Sequence, residues 1–104
     1  MAQANTVVLQ LELSGCPAAQ AGSIAFDLRT TTLTTQAMFR AGTQVAQALA
    51  IIRARYYGRL RPEEALIAFV REEGKQMETV PKMTDLVDGI PPATLLVMRE
   101  NVFG

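Results

Sequence analysis

The chain contains no histidine, no tryptophan and a single cysteine, Cys16. Without imidazole, no side chain of ordinary pKa near neutrality is at hand to activate a serine or cysteine nucleophile, and the commonest zinc ligand is missing. One thiol can build neither a thiolate metal site nor an internal disulfide, and it fits a reducing compartment. Hydrolase and metalloenzyme chemistry are therefore disfavoured, and no catalytic residue, metal or cofactor is assigned. The formal net charge is zero, so the molecule as a whole offers no electrostatic case for nucleic acid or an anionic membrane. No apolar run approaches membrane-spanning length, and "MAQANTVVLQ" lacks the basic start and apolar core of a signal peptide. A cytoplasmic protein is expected. What is present is 104 residues, 49% hydrophobic and 19% charged. That is the composition of one globular domain, not of a disordered chain.

Hydrophobic periodicity divides the domain. In "VVLQLEL", Val7, Leu9, Leu11 and Leu13 alternate with Val8, Gln10 and Glu12, the pattern of a half-buried strand. "SGCPAAQAG" reads as a turn, and "SIAFDLRT" alternates again through Ile24, Phe26 and Leu28, which predicts a hairpin. The period then lengthens. Thr34 or Thr35 can cap a helix whose stripe is Met38, Ala41, Val45, Leu49, Ile52 and Tyr56, with Gly58 as the stop. Gly42 leaves open whether this is one helix or two. A strand over Ala65 to Val70, a polar loop "REEGKQMETVPK", a short helical turn ending at Gly89 and a last apolar strand in "ATLLVMR" follow.

Strand, strand, helix, strand, short helix, strand is the order of an α+β fold of the β-grasp or ubiquitin-like kind. The expectation is a four-stranded mixed sheet with one main helix packed across it. The first and last strands would lie parallel at the centre, where near-continuous apolarity such as "TLLVM" belongs. A ferredoxin-like alternative needs a second long helix in residues 71–92, which Gly74, Pro81 and Pro91-Pro92 oppose. Residues 1–6 are expected to be a disordered N-terminus, 7–99 the domain and 100–104 a tail.

Two stretches, "ALAIIRARYYGRLRPEEALIAFV" and "TDLVDG…ATLLVMRENVFG", resemble the autophagy ubiquitin-like modifiers. In that family a helix with a basic end is followed by a turn and an apolar strand, and the last strand runs into an aromatic-Gly end. The resemblance is to two branches. The first strand begins near Val7, without the two preceding helices of the lipid-linked (autophagy protein eight and GABARAP) branch, which favours the branch of autophagy protein twelve. The Phe103-Gly104 ending is more typical of the lipid-linked branch.

The resemblance implies a modifier in autophagy, itself not an enzyme, conjugated through Gly104 to a lysine of a target autophagy protein (protein five-like) or to phosphatidylethanolamine. Its partners would be activating (E1-like) and conjugating (E2-like) enzymes, and conjugation would recruit it to autophagic membranes. Gly104 suits that chemistry because a residue without a Cβ presents an unhindered carbonyl. Phe103 is then either an anchor for the activating enzyme or a processing protease, or a side chain folded back on the core. The resemblance also assigns partner recognition to the second strand, so Phe26, Leu28 and Arg29 are candidates, Arg29 foremost because the other two serve equally as core. "RARYYGRLR" offers Arg53, Tyr56 and Arg59 as a docking surface for acidic peptides, against the plainer reading of a solvated helix end. No nucleic-acid partner is expected. Cys16, Asp27, Glu63 and Glu64 read as incidental, solvated or capping groups. A non-conjugated interaction module and a sulfur carrier share the fold, the latter disfavoured because Phe103 stands where such carriers have glycine.

Overall fold

The computed structural model describes residues 5–16, 32–58 and 64–101. They form strands β1 (Thr6–Ser14) and β2 (Thr32–Arg40), helix α1 (Val45–Tyr56), and strands β3 (Glu64–Arg71), β4 (Glu78–Thr79) and β5 (Thr94–Asn101). A 3-10 turn, Val87–Gly89, precedes β5. The sheet is mixed, in the order β2-β1-β5-β3-β4. As expected, β1 and β5 are neighbours and parallel, with Leu11 opposite Leu95 and Leu13 opposite Val97. The remaining pairs are antiparallel.

Two expectations are corrected. Among the described residues the sheet has five strands, not four, because Glu78 and Thr79 inside the supposed polar loop pair with Arg71 and Val70. Residues 34–40, read as the start of the helix, belong to a strand, Thr32–Arg40, paired along its whole length with β1. Its inward positions, Ala37 and Phe39, are buried, while Met38, the first residue of the supposed helical stripe, is 66% exposed. Three consecutive threonines and a fourth and fifth at 34 and 35 favour extended backbone, where β-branched side chains pack without crowding a helical turn. The expected strand at Ser23–Thr30 lies outside the described residues.

The helix is accordingly shorter than the stripe suggested. Gly42 does not split it but sits in the turn between β2 and α1 at φ +88°. A Cβ there would meet no neighbouring atom, so Gly42→Ala carries only the backbone penalty of the left-handed region, about 1–2 kcal/mol. A urea midpoint lowered by that loss divided by the slope, with the slope itself unchanged, is the expected result.

One side of α1 covers one face of the sheet. Val45, Ala48 and Ile52 are buried against Leu9, Leu11 and Leu13 of β1, Leu95 and Val97 of β5, and Phe39 of β2. Alternation puts those strand residues on the same face, and the spacing 45, 48, 52 puts the helix residues on one stripe. Each such aliphatic side chain contributes about 1.5–3 kcal/mol by leaving water. Among the described residues no charged side chain is buried.

Candidate functional site

The two ends of α1 organise the two ends of the molecule. At its N-terminus the free amides are taken up from outside the helix. Val45 N–H donates to the Asp85 carbonyl at 2.8 Å and Ala46 N–H to that of Met83 at 3.0 Å. Gln44 N–H donates to the Gln47 side chain at 3.0 Å, and Gln44 forms an isolated bridge with Leu86. The first turn's unpaired donors are thus met by the loop before the 3-10 turn. Asp88 adds a second tie, accepting from Gly42 N–H at 2.9 Å.

At the other end the helix stops at Tyr56, and Tyr57 turns inward. Tyr57 is almost wholly buried. Its hydroxyl donates to the Ser14 carbonyl at 2.8 Å, with the Val97 carbonyl 3.4 Å away. One side chain therefore joins the end of α1 to the two parallel strands at the centre of the sheet. Burial pushes the phenol well above its ordinary pKa, the neighbouring Cys16 adds to the shift, and Arg99 opposes it. Cys16 is buried beside it and points its thiol at the Tyr56 carbonyl, 3.6 Å away. Arg99 reaches the Gly15 carbonyl at 3.5 Å.

Because β1 and β5 are parallel, the end at which Tyr57 docks is also the end from which β5 leaves the sheet. Arg53 and Arg55, in the last turn of α1, are exposed at this end, where cations complement the helix dipole. The opposite end is acidic: residues 72–88 carry Glu72, Glu73, Glu78, Asp85 and Asp88 against Lys75 and Lys82.

The face of the sheet away from α1 carries Val8, Gln10 and Glu12 of β1 with Ile67, Phe69 and Arg71 of β3, by alternation from the buried positions. Arg71 and Glu12 pair across it at 2.5 Å, both partly exposed, a contact worth at most about 1 kcal/mol. β2 and β4 occupy the two edges.

Of the residues picked from sequence, Arg53 is exposed on α1 and Tyr56 is half-buried against the core. They share the basic end of the helix. Phe26, Leu28, Arg29, Arg59, Phe103 and Gly104 lie outside the described residues. Sequence reasoning missed Tyr57, which a helical stripe passing through Tyr56 excludes, since the chain has left the helix by then. It also missed the exposure of Met77 and Val80, in a stretch read as a polar loop, and of Met83 and Leu86, in the stretch read as a short helical turn.

Among the described residues no cluster of three or more acidic or thiol side chains could hold a metal ion, and no helix is long and apolar enough to cross a membrane. Comparison with protein-family models, with curated proteins and with solved structures finds no match to this chain.

Proposed function

We propose that this chain is a β-grasp, ubiquitin-like modifier of the autophagy type, attached through Gly104 to a lysine of a partner protein. The observation that supports this best is the strand order β2-β1-β5-β3-β4 with its parallel central pair. In this arrangement the last strand is held on both sides, and its C-terminal end lies at the cationic end of the helix. The exposed Arg53 and Arg55 there suit an enzyme surface that must bring a carboxylate and ATP together.

The module supplies no catalyst of its own. The Gly104 carboxylate attacks ATP to give an acyl adenylate and pyrophosphate. An activating-enzyme cysteine displaces AMP to form a thioester, and after transfer to a conjugating enzyme, a target amine displaces the thiol to form the amide. The second half of the proposal is recognition. β2 lies at a sheet edge and can accept a partner segment as an added strand.

The test is incubation of the full chain with cell extract and ATP, followed by reducing gels. A reduction-resistant band, larger by a protein's mass and absent when Gly104 is deleted, is the expected result. A small mobility shift removed by phospholipase D would instead place the chain in the lipid-linked branch. No ATP-dependent product, or a product that survives deletion of Gly104, would leave only the noncovalent module.

A further inference from the structure

β4 holds only two residues, and its neighbourhood is where apolar surface is least expected in a segment so rich in charge. Met77 is 76% exposed and Val80 72% exposed, and Met83 and Leu86 are also open to solvent. Four large apolar side chains are thus exposed within ten residues, and two of them, Val80 and Leu86, line one groove. Between β4 and the 3-10 turn runs a groove of about 450 Å³. Val70 and the buried Ile90 form its floor, Val80 and Leu86 its walls, and Asp85 and Asp88 its rim.

This groove is built, not incidental to a loose loop. Its walls are tied to the start of α1 by the Val45 and Ala46 amides and by the Gln44–Leu86 bridge. Each rim carboxylate is oriented by a backbone amide, Asp85 by Lys82 N–H at 2.9 Å and Asp88 by Gly42 N–H at 2.9 Å. A carboxylate holding one amide keeps acceptor capacity for a second donor. No cationic side chain is among the residues that line the groove, and the adjacent Lys82 contributes its backbone N–H to Asp85. The helix amides that would soften the negative field are already committed to carbonyls.

We propose that the groove docks a basic, apolar segment of a partner protein. An aliphatic side chain would fill the space over Val70 and Ile90, and a Lys or Arg a few residues away would meet Asp85 and Asp88. Apolar fill supplies the affinity, and the carboxylate rim selects the sign of the flanking charge. The groove lies on the sheet edge opposite β2, and its occupation is independent of Gly104.

A displayed library of short random peptides, panned on the full chain, tests this. Enriched sequences should combine an aliphatic residue with Lys or Arg, and their binding should weaken as salt is raised. A selected peptide should shift the amide resonances of residues 79–90 in the wild-type chain. Val80→Ser with Leu86→Ser should weaken it by at least roughly tenfold, the loss of about 1.4 kcal/mol. Selection of acidic peptides, of none, or of peptides whose shifts map to β2 would overturn the proposal. So would concentration-dependent dimers abolished by the double variant, since the occupant would then be a second copy.

Discussion

Tyr57→Ala is expected to cost about 3–5 kcal/mol of folding stability, the range for deleting a buried aromatic side chain. A domain of this kind is stable by about 5–15 kcal/mol in total, so the variant should be partly or wholly unfolded at room temperature. The large effect follows from where the ring sits. It closes the core at the end of α1, and its hydroxyl holds the Ser14 carbonyl at 2.8 Å. Tyr57→Phe keeps the ring and removes only that bond, leaving a carbonyl short of a donor at an expected cost of about 1–2 kcal/mol.

The two substitutions also separate in their pH dependence. Folding raises the phenol's pKa, so the unfolded chain releases this proton at lower pH than the folded one. The Tyr57 contribution is therefore complete below the ordinary phenol value, near pH 10, and declines as pH climbs above it. Urea titrations across that window should show a loss in the wild type that is absent in Tyr57→Phe. Equal alkaline loss in both would mean that the hydroxyl is not buried as described.

The second large effect separates two adjacent residues. Phe39→Ala is expected to cost about 3–5 kcal/mol, because Phe39 is 3% exposed beneath α1. Met38→Ala should fall within about 0.5 kcal/mol of the wild type, because its side chain lies on the outward face of β2. A helix through the same residues gives a different pattern. There Met38 would belong to the buried stripe with Ala41 and Val45, and Phe39 would lie a hundred degrees around the axis. Thermal midpoints of the two variants decide between these, and a destabilised Met38→Ala beside a tolerated Phe39→Ala would restore the helical reading of residues 34–41.

That segment shows why some of the fold was legible and some was not. β1 could be read directly because it alternates over seven residues, and β3 and β5 because each is a short, nearly continuous apolar run with clear polar or proline boundaries. In Thr32–Arg40 two periods compete. Ala37 and Phe39 fit a strand, Met38, Ala41 and Val45 fit a helix, and the threonines that favour extended backbone also serve as helix caps. Pairing with the nine residues of β1 resolves the competition, and no local signal carries that information. The two residues of β4 are too few to show any period. The candidate site was less legible still, since Val70, Val80, Leu86 and Ile90 meet only because the loop after β4 folds back onto the start of α1.

Local pattern was therefore sufficient for a single α+β domain, a parallel pairing of first and last strands and a cationic end to the helix. Each of these depends on spacing within one element or on the order of elements along the chain. The identity of β2, the inward turn of Tyr57 and the tie of the acid-rimmed groove to the turn before α1 were settled by contacts between residues 18 to 46 apart, and the fifth strand by a pairing of only two residues with β3. Such contacts are chosen by which faces can be buried together, and that choice is made only when the whole chain packs.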